Sequence, residues 1–286
     1  MATFETDGCE LHYELLGAGP PLALTPGGRS AGNDIRPTAL GLAEHHRVLL
    51  WDRRNTGSSH VWIGPQPEQL VWADDLAALL RHLDLAPAYL AGASAGARVS
   101  YLTALRHPDV VAGLVLWSVS GGPYASQNLG YQYHTPFINE AIRAGMAGVV
   151  ATPFFEERIS ANPANRERLL SISPEEFVAA LRAWNESFYP GPDMPVIAAS
   201  ADELRSISCP TLVFEGNDDI HPPEAAAAVH ALIQGSELAP LPWTRDEWMH
   251  RYVGRVSGVV TDLYPRLVPT VTEFVARCEA GSPLGT

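Results

Sequence analysis

The order of apolar and polar residues along the chain alternates between short runs suited to strands and longer stretches with helical spacing. A strand is predicted wherever a short segment is mainly apolar or strictly alternating. Trp72, Leu76, Leu79 and Leu83 recur at the spacing of one helix face, and the same spacing returns twice near the carboxyl end. The predicted strands are Glu10 to Leu16, Pro21 to Thr25, Arg47 to Trp51, Ala88 to Gly92, Val110 to Ser118, Thr211 to Phe214 and Glu237 to Leu241.

From the run at Arg47 to Trp51 onward, strand patterns mostly alternate with helix patterns. This alternation favours a mostly parallel sheet covered by helices on both faces, preceded by one or two antiparallel strands. Ligands of such sheets bind beyond the carboxyl ends of the strands. We therefore look for chemically active residues directly after predicted strands.

The alternation stops between about Gly121 and Ile207, where the pattern is helical and rich in aromatic residues. Within it, Ser173-Pro174-Glu175-Glu176 is typical of a helix start, with Ser as the N-cap and Pro at the first helical position. We interpret this stretch as an inserted helical lid. The predicted organisation is a core made of residues 1–120 and 208–286, interrupted by a lid of residues 121–207.

Composition limits the classes of partner. A chain of 286 residues with 46% hydrophobic content can bury a large core and favours one main domain with an insertion. Its 19 Lys and Arg against 32 Asp and Glu give a formal net charge of −13, and no basic block occurs. Such a chain would repel nucleic acid. The acidity itself favours a solvated surface and indicates no substrate.

The cysteines and the first residues of the sequence indicate the cellular compartment of the protein. Cys9, Cys209 and Cys278 are odd in number and have neither metal-ligand nor disulfide-scaffold spacing, which favours a reducing cytoplasm. The first residues lack the basic and apolar regions of a signal peptide, and no run of about 18 apolar residues follows. We expect a cytoplasmic protein, monomeric or homodimeric, that does not bind a membrane.

The most informative motif is Gly92-Ala93-Ser94-Ala95-Gly96. A Gly-x-Ser-x-Gly pentapeptide alone is a weak signal. Here it directly follows the predicted strand Ala88 to Gly92 and precedes a stretch able to form a helix up to Pro108, which is the context of a nucleophile elbow. The small residues allow the close approach of strand and helix around a strained serine. Ser94 is therefore the candidate nucleophile.

With these motifs the chain resembles the α/β-hydrolase fold family over nearly its whole length. Pro26-Gly27-Gly28 after a strand is similar to the family's His-Gly-x oxyanion loop. The resemblance implies a mostly parallel eight-stranded sheet flanked by helices, with an inserted helical lid. It also implies that the backbone N–H groups of Gly28 and Ala95 bind the oxyanion.

A second similar segment, Trp51 to Ser59, matches the family's Asp-x-Arg-Gly-x-Gly-x-Ser turn, which is structural. Asp52 in this turn could be mistaken for the triad acid, but it follows the wrong strand. The acid is expected after a later strand.

The segment from Leu212 to Pro222 resembles the family's strand-Gly-x-x-Asp signature with its downstream proline. Asp219, three residues after Gly216, is the predicted acid, and the adjacent Asp218 is interpreted as a turn residue.

His250 is the predicted base, because the family places its histidine between the last strand and the final helix. The family usually has Gly-His at this point, whereas the chain reads Trp248-Met249-His250. A surface histidine is the alternative interpretation of His250, with His221 as the second candidate base.

Residues near the predicted site indicate what kind of substrate it takes. Arg29 follows the oxyanion loop and would either pair with a substrate carboxylate or enolate or point to solvent. Many lid aromatics should pack against the core, but some should line an apolar pocket for an aromatic or medium acyl group. The predicted substrate-binding residues are Gly27, Arg29, Trp117, Tyr124 and Trp184.

The resemblance implies a serine hydrolase of small, partly apolar carboxylic esters or lactones, in which His250 takes the Ser94 proton and Asp219 orients the imidazole. It also implies a small-molecule substrate and a reaction that needs no metal and no organic cofactor. Three alternatives remain open from the sequence. The first is a C–C bond hydrolase of ring-cleavage diketones. The second is a cofactor-free perhydrolase or lyase with the same serine. The third is a non-catalytic small-molecule-binding protein on the same scaffold.

Overall fold

The computed structural model describes residues 2–189, 191, 194–253 and 259–281 of the chain. In this part, eight strands form one sheet in the spatial order β1-β2-β4-β3-β5-β6-β7-β8. Strands β1 and β2 are antiparallel to their neighbours and all other pairs are parallel. The predicted mostly parallel sheet is thereby confirmed. The strands are β1 Ala2–Thr6, β2 Cys9–Leu16, β3 Pro21–Thr25, β4 Arg47–Trp51, β5 Ala88–Ala93, β6 Val111–Trp117, β7 Thr211–Phe214 and β8 Glu237–Ala239.

Strand β1 is the one that the apolar pattern missed. It is an edge strand whose side chains are mostly exposed, so no apolar run marks it. It pairs with β2 through a two-residue turn, Asp7-Gly8, in which both φ angles are positive, at 46° and 68°. An Asp-Gly pair of this kind is a strong hairpin signal.

Helices cover both faces of the sheet. One face packs residues such as Leu76, Val99 and Val229 from three helices in a single apolar cluster. The opposite face packs Ala39 and Phe274 in another. The helices are α1 Arg36–Leu42, α2 Glu68–His82, α3 Ala95–Arg106, α4 Gly122–Val150, α5 Pro153–Ala161, α6 Ala164–Leu170, α7 Pro174–Glu186, α8 Ala201–Ser206, α9 Pro223–Leu232, α10 Arg245–Val253 and α11 Val268–Glu279, with 3₁₀ segments at Gly32–Ile35, Pro108–Val110 and Val259–Leu267.

Helices α4 to α7 form the insertion between β6 and β7 and share their own apolar cluster, which includes Phe137, Phe155 and Phe177. The expected helix start at Ser173 is confirmed: its hydroxyl accepts from the Glu176 N–H at the beginning of α7. Helix α8 packs with the core, because Leu204 belongs to the cluster on the sheet. The division of the chain at residues 120 and 207 stays a prediction.

The carboxyl ends of β3, β5 and β7 meet at one edge of the sheet, since these strands run parallel. The segments after them carry the predicted oxyanion loop, Ser94 and the predicted acid. Among the described helices, none combines the length and the apolar character needed to cross a membrane. The described residues also contain no cluster of three or more His, Cys, Asp or Glu side chains placed to hold a metal ion.

Candidate active site

Ser94 stands on a sharp turn between β5 and α3. Its φ of 51° and ψ of −108° lie in a region that residues other than glycine rarely adopt. The Ser94 N–H donates to the carbonyl of Trp117 at 3.1 Å, which ties the turn to β6. Strain of this kind persists only where the surrounding structure fixes it, and it presents the hydroxyl at the end of the sheet.

The two glycines of the motif are required by close backbone contacts. A Cβ on Gly92 would lie 2.3 Å from the carbonyl carbon of Gly96. A Cβ on Gly96 would lie 2.1 Å from the carbonyl oxygen of Thr25 in β3. Both distances are far below van der Waals contact, so no other residue fits without a shift of the backbone.

We expect Gly96→Ala to destabilise the protein by about 1–3 kcal/mol or more, because a methyl group is forced against the backbone of β3. The measurement is the thermal unfolding midpoint, which should fall by several degrees. Gly191→Ala is the control, since none of the described residues lies within 4 Å of its added Cβ. Equal midpoints for the two variants would contradict the close-contact explanation.

A continuous hydrogen-bonded chain runs from Ser94 to His221 and Asp218. The hydroxyl oxygen Oγ of Ser94 lies 3.0 Å from Nε2 of His221. The other ring nitrogen, Nδ1, lies 2.8 Å from Oδ2 of Asp218. Both His221 and Asp218 are buried. These distances and this order are those of a nucleophile, a base and an acid.

A tight loop after β7 allows an aspartate and a histidine only three residues apart to meet. The second carboxylate oxygen of Asp218 accepts from the N–H groups of Ile220 and His221, each at 2.8 Å. The Asp218 N–H donates to the His221 carbonyl at 3.3 Å. A Cβ on Gly216 would lie 2.3 Å from that carbonyl oxygen, so the loop closes on a glycine.

The Asp218 carboxylate is stabilised in its charged form. Burial by itself raises the pKa of Asp218, but the hydrogen bonds and charge of His221 and the N–H group of Ile220 outweigh it. The pKa therefore lies below its ordinary value. An ionised carboxylate at this position can stabilise an imidazolium on His221. The ring of His221 also packs edge-on against Trp248, with centroids 6.2 Å apart.

The expectation that Asp219 stands beside the histidine is wrong. Its side chain is 71% exposed and lies 3.5 Å from Arg245. Asp218 faces inward instead, because its carboxylate is held by the N–H groups of its own loop. Two adjacent aspartates cannot both take that position, and the sequence does not say which of them does.

The expectation that His250 lies beside Ser94 is also wrong. His250 is exposed on α10, two residues after the buried Trp248. Two residues correspond to about 200° around a helix, so the burial of Trp248 turns His250 to the opposite face. His221 takes the place beside Ser94.

The oxyanion loop lies directly against Ser94. A Cβ on Gly27 would be 3.4 Å from the Cβ of Ser94. Gly28 has a φ of 52°, and the hydroxyl of Tyr133 lies 3.4 Å from where its Cβ would be. Within the described part of the chain, the N–H groups of Gly28 and Ala95 donate no hydrogen bond to a protein atom. Both groups are therefore available to a bound oxyanion.

Arg29 neither points to solvent nor remains available to a substrate. Its Nε and Nη2 donate to Oε2 of Glu68 at 3.1 and 2.8 Å, and its Nη1 donates to the Tyr133 carbonyl. Only 6% of its side chain is exposed. The expected substrate contact of Arg29 is wrong, because Glu68 already neutralises its charge.

The side chains of three residues that were predicted to line the pocket lie elsewhere. Trp117 lies in the core cluster on the face of the sheet that α1 and α11 cover. Trp184 lies in the apolar cluster of helices α4 to α7, where it stacks on Trp62 and donates to the Gly64 carbonyl at 2.9 Å. Tyr124 is 58% exposed on the surface of α4. Large aromatic residues were predicted as pocket lining, but two of these three are core packing.

A different group of apolar residues stands beside Ser94. The hydroxyl of Tyr133 lies next to Gly28 of the oxyanion loop, and Ile220 directly precedes His221 in the sequence. Tyr133 and Ile220 pack in the same apolar cluster. This apolar wall consists of Leu129, Tyr133, Phe188, Ile197, Ala198 and Ile220. Tyr133 and Phe188 belong to the lid aromatics that the sequence indicated, whereas the aliphatic members carried no signal of their own.

Comparisons with known proteins identify the fold. A solved esterase from Thermogutta terrifontis is 25% identical to the chain, with a TM-score of 0.63 and coverage of 96% of this chain and 97% of that one. A family model described as the alpha/beta hydrolase fold matches residues 20–157. The chain belongs to the α/β-hydrolase fold family.

The names of other similar proteins state different activities. RutD of Serratia proteamaculans, inferred to be a carbamate hydrolase, is 33% identical over 117 residues, which are 40% of this chain and 43% of that protein. The match thus spans less than half of that relative. The enol-lactonase of Burkholderia xenovorans shares the fold at 20% identity, with a TM-score of 0.63 and coverage of 96% of this chain and all of that one.

Proposed function

We propose that this α/β-hydrolase is a serine hydrolase that cleaves a small, partly apolar carboxylic ester or lactone through an acyl-enzyme. The observation that carries the proposal is the hydrogen-bonded chain Ser94, His221, Asp218, with contacts of 3.0 and 2.8 Å. We infer that it works in the cytoplasm on a free small molecule.

In the proposed reaction, Oγ of Ser94 attacks the carbonyl carbon while Nε2 of His221 takes the hydroxyl proton. Asp218 keeps the imidazole proton on Nδ1 and stabilises the imidazolium that forms. The N–H groups of Gly28 and Ala95 hold the oxyanion, with the amino end of α3 adding a favourable dipole. His221 then gives its proton to the leaving oxygen, and a water molecule repeats the steps to release the acid.

The substrate class follows from the surroundings of Ser94. The apolar wall from Tyr133 to Ile220 suits the aliphatic or aromatic part of an acyl group. An esterase and an inferred carbamate hydrolase are among the relatives, and both names describe attack on an acyl carbonyl. A lactone presents the same carbonyl with its leaving oxygen in a ring.

The first test is covalent labelling with a fluorophosphonate, which reacts with a serine only when a base activates it. We expect one label per chain on Ser94, lost in Ser94→Ala and kept in Ser171→Ala, which removes an exposed serine that follows α6. The labelled peptide is identified by mass spectrometry. A folded wild-type protein that takes no label would overturn the hydrolase proposal in favour of a binding protein.

A further inference from the structure

Four arginines are buried together between the core and the lid. This arginine cluster consists of Arg29, Arg53, Arg98 and Arg158. Among the described residues, Glu68 is the one buried acidic side chain that pairs directly with a member of the cluster. Burying an ion costs several kcal/mol unless an opposite charge and hydrogen bonds compensate it. The hydrogen-bond and ion-pair partners of each arginine therefore show which buried charges are not compensated.

Two members of the cluster are satisfied by the protein. Arg29 is paired with Glu68 as described above. Arg158 donates to the carbonyl oxygens of Asn55, Phe154 and Arg29 at 2.6, 2.8 and 2.8 Å. These contacts join the loop after β4 to the lid helix α5. Arg29 and Arg158 are therefore structural.

The other two members are not satisfied. Arg53 donates one hydrogen bond, to the Ser30 carbonyl at 3.3 Å, and Arg98 donates one, to Oε1 of Gln69 at 3.1 Å. Nε and Nη1 of Arg53 and Nε and Nη2 of Arg98 are buried with no acceptor among the described residues. Each guanidinium lies over an aromatic ring at 4.6 Å, Arg53 over Trp72 and Arg98 over Phe188.

The nearby carboxylates do not cancel the charge. Asp52 precedes Arg53 in the chain, but its two oxygens accept from the N–H groups of Gly32 and Ser58. Burial lowers the pKa of Arg53 to about 10, so its guanidinium is still charged at neutral pH. Glu157 lies 3.7 Å from Arg158, but its side chain is 76% exposed. Among the described residues, Glu68 and Asp52 are the buried carboxylates beside the four arginines, so the buried region carries positive charge in excess.

Arg98 lies beside the reacting serine, and the charges of both unsatisfied arginines act on Tyr133 of the apolar wall. Arg98 is one helical turn after Ser94, and its backbone N–H donates to the Ser94 carbonyl at 3.0 Å. Side chains on a helix lean toward its amino end, which here is the end that carries Ser94. Phe188, under which Arg98 lies, belongs to the apolar wall. Burial raises the pKa of Tyr133 in the same wall, while the charges of Arg98, Arg29 and Arg53 act in the opposite direction.

We propose that the acyl part of the substrate carries a carboxylate, which binds the free N–H groups of Arg98 and Arg53 beside Ser94. The inference deepens the proposed hydrolase function and rests on it. A carboxylate offers two acceptor oxygens to two planar donors and supplies the missing negative charge. The contact that the sequence suggested for Arg29 is thus transferred to two arginines that have no carboxylate partner.

The test compares pairs of substrates that differ only in charge. Mono-4-nitrophenyl esters of succinate, glutarate and adipate are each measured against the neutral ester in which an isopropyl group replaces the carboxylate. Rates are corrected with the Ser94→Ala protein, because such esters also hydrolyse spontaneously. We expect the charged member of at least one pair to have a kcat/KM about 10- to 100-fold higher.

The variants assign the preference to the two arginines. Arg98→Met should lower the ratio of charged to neutral kcat/KM by about 10-fold or more, and Arg98→Lys should restore part of it. Arg53→Met gives an independent reading if Arg98→Met fails to fold. Arg81→Met, which removes the same charge from an exposed pair with Asp109, should leave the ratio unchanged.

Two results overturn the proposal and leave the function intact. One is Ser94-dependent hydrolysis of the neutral esters without a preference for any charged ester. The other is a preference that survives in both Arg98→Met and Arg53→Met. If no ester is hydrolysed, the hydrolase proposal fails, and glutarate binding to Ser94→Ala by calorimetry decides the anion site alone. Glutarate binding to Ser94→Ala that is lost in the double variant Ser94→Ala/Arg53→Met supports the anion site. No glutarate binding to Ser94→Ala, or equal binding to both proteins, overturns it.

Discussion

Replacing His221 by alanine should lower kcat for a 4-nitrophenyl ester by about 10⁶-fold, because the group that takes the Ser94 proton is removed. His221 is the histidine whose Nε2 lies 3.0 Å from the serine hydroxyl. The same substitution at His250 should change kcat less than about twofold, since His250 is exposed on α10.

The two histidine variants are compared at one pH, with the thermal midpoint of each measured alongside. Stopped-assay rates above the Ser94→Ala background give kcat. A large loss in His250→Ala together with full activity in His221→Ala would reverse the assignment of the base. If the thermal midpoint of a variant equals that of the wild type, its loss of activity is not caused by unfolding.

The position of the base has a consequence for the rest of the core. The segment after β8, where the family places its histidine, is filled here by aromatic rings. Trp243 stacks on Trp248 at 6.1 Å, and Trp248 stacks on Tyr264 at 6.4 Å. Since the proposed acid and base share one loop, the segment after β8 can pack its aromatic rings behind His221. Its Trp-Met-His sequence in place of Gly-His then needs no catalytic explanation.

The fold and the sharp turn at Ser94 could be predicted because their signals are local. A strand, two glycines and a helix adjoin Ser94 in the sequence. The two glycines are required because a Cβ at either position would collide with backbone atoms. The choice between Asp218 and Asp219 depends on which of two neighbours turns inward. That is decided by hydrogen bonds within the loop, which no periodicity reveals.

The charge environment of the site could not be predicted from the sequence. Arg29 is neutralised by Glu68, which is 39 residues away in the chain. Arg98 follows Ser94 closely, but its burial and its lack of an acceptor depend on Phe188 from the lid and Gln69 from α2. Ion pairs and hydrogen bonds between residues far apart in the sequence leave no local sequence pattern. Only the folded structure therefore shows which arginine has no acidic partner.

Asp218→Asn should lower kcat by about 10⁴-fold while leaving the fold in place. The amide cannot carry the negative charge that stabilises the imidazolium, and its NH₂ group favours the wrong tautomer of His221. The measurement is kcat for the same 4-nitrophenyl ester, with the extent of fluorophosphonate labelling as a second reading of how well Ser94 is activated.

Asp219→Asn is the matched control, because it makes the same chemical change one residue later. Its side chain is 71% exposed, and it loses only a 3.5 Å ion pair with Arg245. Exposed pairs of this kind contribute less than about 1 kcal/mol, so both kcat and stability should stay near the wild type. If Asp219→Asn lost activity and Asp218→Asn retained it, the acid would be the residue that the Gly-x-x-Asp pattern indicates, and the loop would have to turn over to bring it to His221.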